Sequence, residues 1–235
     1  MKGLRGLYAI TPECPGPGLR LAARDGGHVG NAGAVPGLVR QVELAIAGGA
    51  RVIQYRDKSG DLAGNRERRL AEARALHAVC RRAGVPLIIN DDATLAAAVA
   101  ADGVHLGRDD GSPSEARRLL GSAAIIGVSC YNSLELAEAA QAAGADYVAF
   151  GSFFASSTKP LAVRADVGLL RRARQSIHLP LVAIGGITPE NGAALIAAGA
   201  DLLAVVSGLF GEPDPRSAAQ AYAQLFDTPD LRTRS

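Results

Sequence analysis

The chain has 235 residues, of which 48% are hydrophobic and 20% are charged, enough for one buried core and close to the roughly 250 residues typical of an α/β barrel. Its 25 basic and 23 acidic residues leave a formal charge of +2, which argues against a nucleic acid or a membrane surface as partner. Aromatic residues make up only 4%, so a surface for stacking single-stranded bases is not expected.

The compartment can be predicted from the N-terminus and the cysteines. The opening MKGLRGLYAIT enters a strand-like run after six residues, which leaves no room for a secretory signal. No apolar run approaches the roughly 18 residues of a membrane span. Cys14, Cys80 and Cys130 are odd in number and far apart, as is typical of reduced thiols. We therefore expect a cytoplasmic protein.

Short apolar runs alternate with longer helical patterns along the chain, and these runs predict eight strands. The stretches between them, such as 66–82, 133–143 and 189–198, repeat apolar residues every three or four positions, as helices that cover a sheet do. Arginine clusters at 66–69, 81–82 and 171–174 lie in predicted helices and are expected on the solvated face. The predicted strands are Leu7–Thr11, Val52–Tyr55, Leu87–Asn90, Val104–Leu106, Ile125–Val128, Tyr147–Phe150, Leu181–Ile184 and Leu202–Val206.

This alternation predicts parallel strands joined by helical crossovers. An open doubly wound sheet is the alternative, but no G-x-G-x-x-G opens the first helix, so we expect an α/β fold closed into a (βα)₈ TIM barrel. One domain is expected, with its core over about 7–226. The Gly- and Pro-rich segment 12–37 predicts a long loop, either an active-site lid or a disordered insertion. The polar tail 228–235 is expected to fray.

Polar residues follow the second predicted strand, where active-site residues of such barrels lie. The sequence there is Gln54-Tyr55-Arg56-Asp57-Lys58, and strand alternation directs Gln54, Arg56 and Lys58 to one side. Two cations and an amide on one face suit a phosphorylated ligand. A solvated loop is the alternative interpretation.

Acidic residues follow the next two strands. Strand three ends in Asn90-Asp91-Asp92, and the loop after strand four carries Asp109-Asp110. Carboxylates without neighbouring His or Cys favour Mg²⁺, whose remaining ligands are waters and substrate phosphate oxygens. An Asp before an alanine-rich helix can also be a simple N-cap.

Three later loops carry phosphate-binding features. Residues 151–160 are rich in hydroxyls with one lysine, residues 185–190 begin with two glycines, and residues 206–208 follow the last strand. A phosphate site after strands seven and eight recurs in these barrels; surface turns and helix caps would explain the same residues without a ligand. The histidines show no metal spacing and are expected to be structural; they are His28, His77, His105 and His178.

Several motifs together resemble one enzyme family. They are LYAITPE, VIQYRDKSGD, IINDD, GVHLGRDD, IIGVSCYNS, STKP, AIGGITPEN and AVVSGLF, in order from Leu7 to about Phe210. No single motif is specific, but QYRDK, NDD, the second acidic pair and the TK dipeptide at successive strand ends form a specific set. The set resembles the thiamine-phosphate synthase (thiamine-phosphate pyrophosphorylase) family. That family joins a hydroxymethylpyrimidine diphosphate to a thiazole phosphate, or its carboxylated form, and releases thiamine phosphate and pyrophosphate.

The resemblance implies small phosphorylated substrates and a Mg²⁺ cofactor bound by Asp91 and Asp110. It implies Arg56, Lys58, Ser129 and Lys159 as catalytic residues. The pyrimidine diphosphate would be bound by Gln54, Tyr55, Arg56, Asp57, Lys58, Asn90, Ser129 and Lys159. The thiazole phosphate would be bound by Ser156, Ser157, Thr158, Gly186, Val206 and Ser207.

The sequence departs from the common family pattern at two places. Ala155-Ser156 stands where Pro and Thr are frequent, and Cys130-Tyr131 stands where many relatives have a residue followed by His. A related thiazole tautomerase uses a histidine at the second place, which disfavours that function for this chain. Two further hypotheses stay open, a sugar-phosphate epimerase and a non-catalytic thiamine phosphate sensor. Self-association is common among barrels, and the sequence leaves the oligomeric state open.

Overall fold

The protein is described by a computed structural model that covers residues 4–13, 34–59, 64–155 and 163–227. Strands and helices alternate along these residues. The strands are β1 (Gly6–Ile10), β2 (Ala50–Tyr55), β3 (Leu87–Asn90), β4 (Gly103–Leu106), β5 (Ile125–Tyr131), β6 (Tyr147–Phe150), β7 (Leu181–Ile184) and β8 (Leu202–Val205). The helices are α1 (Ala34–Ala47), α2 (Asn65–Ala83), α3 (Ala93–Val99), α4 (Pro113–Leu120), α5 (Leu134–Ala142), α6 (Val167–Ser176), α7 (Pro189–Ala197), α8 (Ser207–Phe210) and α9 (Pro215–Gln224).

The eight strands form one closed sheet. Each strand pairs in parallel with the next, and β8 returns to pair with β1, where Gly6 lies opposite Leu202 and Ala9 opposite Val205. The predicted barrel is therefore confirmed, and the open doubly wound sheet is excluded. Because all strands run the same way, their carboxyl ends and the loops that follow them meet at one mouth.

Two apolar layers hold the barrel together, because alternate residues of a strand face opposite sides of the sheet. In β1, Tyr8 and Ile10 belong to the cluster inside the barrel, whereas Leu7 and Ala9 belong to the larger cluster between strands and helices. The inner cluster consists of Tyr8, Ile10, Val52, Ile88, Tyr147, Ala149, Val182, Leu202 and Ala204. Few of these side chains are polar, so the polar ones define where chemistry can occur.

The loops that bear the site are anchored by helix caps. Ser112 accepts a hydrogen bond from the backbone of Glu115 while the Glu115 carboxylate accepts one from the backbone of Ser112, closing the start of α4. Asp92 caps α3 with its side chain, which accepts from Leu95 N. These caps fix the point at which each strand-to-helix loop ends.

The predicted strands are all present, with small differences at their ends. β5 runs to Tyr131 rather than Val128, because it bulges against β6 between Ser129 and Tyr131 and continues beyond the extra residue. The predicted loop 12–37 is too long, since α1 begins at Ala34; residues 14–33 lie outside the described residues, as does the tail 228–235. Among the described residues, no helix has the length and apolar character needed to cross a membrane.

Candidate active site

A cavity of about 500 Å³ opens at the carboxyl-terminal mouth of the barrel. It is lined by residues at the ends of β1 to β8 and in the loops after them, which is where barrel enzymes place their active sites. The predicted residues that line it are Gln54, Arg56, Lys58, Asn90, Asp91, Asp110, Ser129, Gly186, Val206 and Ser207. Ser156, Ser157, Thr158 and Lys159 lie outside the described residues.

A chain of hydrogen bonds forms the floor of this cavity. Gln54 Nε2 donates to the Tyr8 hydroxyl at 2.8 Å, and that hydroxyl lies 2.7 Å from the Tyr147 hydroxyl. The Tyr147 hydroxyl lies 2.9 Å from His105 Nδ1, and His105 Nε2 lies 2.9 Å from Ser129 Oγ. Side chains from five strands are thus joined across the barrel interior.

The direction of this chain follows from counting protons. Because Gln54 donates to Tyr8, every hydroxyl proton finds an acceptor only if Tyr8 donates to Tyr147 and Tyr147 donates to His105 Nδ1. Burial raises the pKa of the Tyr147 phenol well above its ordinary value, so this proton stays in place. His105 then carries its proton on Nε2 and donates to Ser129, which leaves the Ser129 hydroxyl proton free for a ligand.

His105 was missed as a site residue, because the sequence shows it without metal spacing or a catalytic partner. It is buried in β4 and stacks on Tyr147, with ring centroids 5.6 Å apart. Its usable signal is strand alternation, since the flanking Val104 and Leu106 belong to the cluster outside the barrel and His105 therefore faces the interior. Tyr8 and Tyr147 were also missed as site residues.

The end of β2 divides its residues between the two faces of the sheet. Gln54, Arg56 and Lys58 line the cavity, as the alternation predicted. Tyr55 and Asp57 do not; this corrects their assignment to the pyrimidine diphosphate. Both point to the opposite face, where the Tyr55 hydroxyl donates to Glu72 on α2 at 2.6 Å.

Arg68 on α2 organises this outer face. Its guanidinium lies 2.5 Å from the Asp57 carboxylate and 2.9 Å from that of Glu72, and it also donates to Ser59 Oγ. Ser59 N donates in turn to Asp57 at 2.8 Å. The sequence predicted an exposed arginine cluster at 66–69, but Arg68 is a largely buried link between α2 and the loop after β2.

The inward-facing cations are held by carboxylates. Arg56 forms a 2.8 Å ion pair with Glu13, and its backbone N donates to Thr11 Oγ1 at 3.0 Å. Lys58 forms a 2.9 Å ion pair with Asp91. The ends of β1, β2 and β3 are thereby linked at the mouth, with both cations directed into the cavity.

Asp91 and Asp110 form the acidic pair at the mouth. Burial, the Asp91 hydrogen bond and the Asp91 charge raise the pKa of Asp110. Burial acts in the same direction on Asp91, but hydrogen bonds and the Lys58 ammonium outweigh it and lower the pKa of that carboxyl. Asp91 also adopts a left-handed backbone, with φ 65, a conformation Asp tolerates better than most residues. Two carboxylates close enough to share a proton can share a divalent cation instead.

The neighbouring aspartates have different roles. Asp92 is the N-cap of α3 and pairs with Arg69 at 2.9 Å, so the interpretation as a cap holds for Asp92 and not for Asp91. Asp109 lines the cavity beside Asp110. Within the described ranges, no group of three or more His, Cys, Asp or Glu side chains is suited to hold a metal ion. A cation here would therefore need ligands from substrate and water.

Asn90 supplies an unused donor. It is buried at the end of β3 and lines the cavity, and its Nδ2 has no hydrogen-bond partner among the described residues. An unpaired buried amide is costly unless a ligand satisfies it. The side chain is therefore poised to bind an acceptor atom.

A glycine turn after β7 forms the opposite part of the cavity wall. Gly185 and Gly186 have φ values of +105 and +60, and a Cβ on Gly186 would lie 2.2 Å from the Ala155 carbonyl oxygen. Only glycine fits there without strain. With Val206 and Ser207 after β8, this turn brings backbone close to any ligand.

Comparisons with known proteins identify the family to which the chain is similar. The family described as thiamine monophosphate synthase matches residues 31–209. The chain is 56% identical to a thiamine-phosphate synthase of Thiobacillus denitrificans, over 94% of both chains, and 52% identical to one of an Azoarcus species, over 95% of this chain and 98% of the relative.

A solved structure gives the same result. The thiamine phosphate pyrophosphorylase from Pyrococcus furiosus is 30% identical, with a TM-score of 0.76 over 96% of this chain and 97% of that one. The sequence-based identification is confirmed, and the chain belongs to the thiamine monophosphate synthase family.

Proposed function

We propose that this chain forms thiamine phosphate from a hydroxymethylpyrimidine diphosphate and a thiazole phosphate, with release of pyrophosphate. The observation that carries this function is a single cavity lined by three cationic side chains, a pair of adjacent carboxylates and a glycine turn. Each of these features binds phosphoryl oxygens, directly or through a metal. Their convergence in one space suits a reaction between two phosphorylated molecules.

The pyrimidine diphosphate occupies the side of the cavity formed by β2 to β5. Arg56 and Lys58 contact the diphosphate, and Lys159 of the TK motif joins them. The Asn90 amide and the Ser129 hydroxyl donate hydrogen bonds to the same substrate, which is supported by the unpaired Asn90 Nδ2 and the free Ser129 proton. Gln54 contacts the pyrimidine ring at the cavity floor.

Asp91 and Asp110 are the residues that hold Mg²⁺. The pair fits this ion because Mg²⁺ is usually bound by one or two carboxylates, with waters and substrate phosphates as its other ligands. When bound, Mg²⁺ neutralises charge that develops on the departing pyrophosphate. Lys58 forms an ion pair with Asp91, so the lysine lies beside the site of that charge.

The chemistry requires positioning and charge stabilisation more than proton transfer. The bond between the pyrimidine methylene and the diphosphate oxygen breaks, pyrophosphate leaves with the bonding electrons, and the thiazole nitrogen forms the new bond to the methylene carbon. Arg56, Lys58 and Lys159 stabilise the leaving group. The nitrogen loses no proton, so no general base is needed, and the rigid floor holds the ring in place.

The thiazole phosphate binds on the side formed by β6 to β8. Gly186, Val206 and Ser207 bring backbone and hydroxyl donors to its phosphate, and Ser156, Ser157 and Thr158 add hydroxyls. The close approach of the turn to Ala155 supports this placement. We place the reaction in the cytoplasm, which the free buried thiols of Cys80 and Cys130 support.

The test is product formation by the purified protein, measured as thiamine phosphate by chromatography with fluorescent derivatisation. We expect product with both precursors and none when either is omitted. Lys159→Ala should nearly abolish turnover without altering the circular dichroism spectrum. Isomerisation of a thiazole substrate without product would favour the tautomerase, and tight binding of thiamine phosphate without turnover would favour the sensor.

A further inference from the structure

Arg108 lies at the cavity mouth in the loop between β4 and α4. Its guanidinium carbon stands 5.1 Å from the centroid of the Tyr131 ring, at the end of β5. Both residues line the cavity. Stacking of a guanidinium on an aromatic face holds a cation in place without neutralising it.

The position of Tyr131 is maintained against backbone strain. Its φ is 54, in the left-handed region that aromatic residues rarely adopt. It follows the β5 bulge, and its carbonyl oxygen accepts a hydrogen bond from Gly151 N at 2.9 Å. Strain of this kind persists where the surrounding structure enforces it, and it is frequent at ligand-binding positions.

The pair lies at the acidic end of the cavity. A Cβ built on Gly107 would lie 2.8 Å from Asp110 Oδ2 and 3.8 Å from the Tyr131 hydroxyl, so both groups approach the same point. Gly107 N also donates to Asp110 at 2.8 Å. Arg108 follows Gly107 directly in the chain, which places it beside the carboxylates that are assigned to the metal. It therefore also lies beside the proposed position of the diphosphate.

Arg108 differs from the two inward-facing cations of β2 in its partners. Arg56 is paired with Glu13 and Lys58 with Asp91. Among the described residues, no carboxylate forms an ion pair with Arg108, whose guanidinium rests on the Tyr131 ring. An unneutralised guanidinium at the rim of a phosphate-binding cavity is available to an anionic ligand.

We propose that Arg108, held on the Tyr131 ring, binds the outer phosphate of the diphosphate at the cavity mouth. This inference rests on the proposed placement of the diphosphate beside Asp91 and Asp110. It adds a cationic binding residue from the loop after β4, which otherwise contributes carboxylates to the site. The Tyr131 ring acts as a positioning group for Arg108.

The experiment measures binding of inorganic pyrophosphate with Mg²⁺ by titration calorimetry. For Arg108→Gln we expect about tenfold weaker binding, as for loss of one charge-assisted hydrogen bond at a partly solvated site. The matched control is Arg118→Gln, which removes the same charge from a position on α4 away from the cavity and should bind like the wild type. The difference should shrink in about 0.5 M salt.

Kinetics give a second readout. Arg108→Gln should raise the KM for the pyrimidine diphosphate and leave the KM for the thiazole phosphate unchanged. Equal pyrophosphate affinity of Arg108→Gln and the wild type would overturn this inference alone. Failure of the wild-type protein to bind pyrophosphate would overturn the diphosphate placement as well, so the two failures are distinguishable.

Tyr131 variants test the positioning step. Tyr131→Phe keeps the ring and should bind pyrophosphate like the wild type, whereas Tyr131→Leu should weaken binding. Adding Arg108→Gln to Tyr131→Leu should cause little further loss, because both changes remove the same interaction. Fully additive losses, or a loss in Tyr131→Phe equal to that in Arg108→Gln, would contradict the role of the ring.

Discussion

Replacing Arg68 with methionine is expected to destabilise the barrel and loosen the loop after β2. Arg68 is the cation between two buried carboxylates, Asp57 and Glu72, whose side chains are 1% and 0% exposed. Methionine preserves much of the side-chain volume but leaves both carboxylates without their cation. Asp57 lies between Arg56 and Lys58 in the chain, so the loss is expected to reach the cavity.

The expected loss of stability follows from removing one partner of a buried ion pair. Removing one partner of such a pair typically costs about 3–5 kcal/mol, because the remaining charge is buried without compensation. For a protein of this size that corresponds to a fall in Tm of about 6–20 °C. Displacement of Arg56 and Lys58 should also raise the KM for the pyrimidine diphosphate.

The stability difference should depend on pH in a defined direction. Burial opposes ionisation of Asp57, but hydrogen bonds from Ser59 and the Arg68 guanidinium outweigh it and lower the pKa of that carboxyl. This contribution to wild-type stability is present above about pH 4 and is lost as the pH falls through the lower folded-state pKa. In Arg68→Met the pKa of Asp57 rises relative to the wild type, so the two proteins should become more alike on acidification.

The assay is thermal unfolding followed by circular dichroism between about pH 2 and pH 8, so that the range extends below the ordinary pKa of an aspartate. Arg74→Met is the matched control, since Arg74 is exposed on the same helix, and its Tm should stay near that of the wild type. An Arg68→Met protein as stable as this control at pH 7 would contradict the role of Arg68 as a buried cation, as would a stability difference that grows as the pH falls.

Three further changes test the floor and the acidic pair. Gly127→Ala should lower the free energy of unfolding by about 1–3 kcal/mol, because its Cβ would lie 1.9 Å from the Tyr147 ring. In thermal melts the control is Gly37→Ala, whose Cβ would meet no atom of the described residues within 4 Å. Tyr147→Phe leaves buried hydrogen-bond partners unpaired, which should lower the free energy of unfolding by about 1–3 kcal/mol. It should also lower kcat, and an unchanged kcat in steady-state assays would exclude the floor network from catalysis. Asp110→Asn should shift the Mg²⁺ concentration for half-maximal rate upward by at least about tenfold, and an unshifted Mg²⁺ titration would remove Asp110 from the metal site.

The alternation of side chains along a strand explains what could be predicted of the site. On β2 the alternation correctly directed Gln54, Arg56 and Lys58 inward, and the same alternation should have excluded Tyr55 and Asp57. The resemblance to the family covers the motif as a whole and therefore includes those two residues. A motif reports which segment forms a site, whereas the pleat decides which of its side chains face the ligand.

Some features of the site depend on the assembled barrel. His105 finds its partners on β5 and β6, 24 and 42 residues away, and no local pattern contains such contacts. Tyr131 lines the cavity two residues after Ser129, as alternation along β5 would place it, but its left-handed backbone and its pairing with Phe150 beyond the bulge are set by the assembled sheet. The burial of Arg68 likewise depends on how α2 packs on the loop after β2.

The most direct test of the account is the rate of thiamine phosphate formation from both precursors with Mg²⁺, with EDTA, and after Mg²⁺ is restored. We expect product with Mg²⁺, almost none with EDTA, and full recovery on restoration, since the cations and the acidic pair act together on the leaving pyrophosphate. An undiminished rate in EDTA would contradict the assignment of Asp91 and Asp110 as metal ligands and the leaving-group stabilisation built on it.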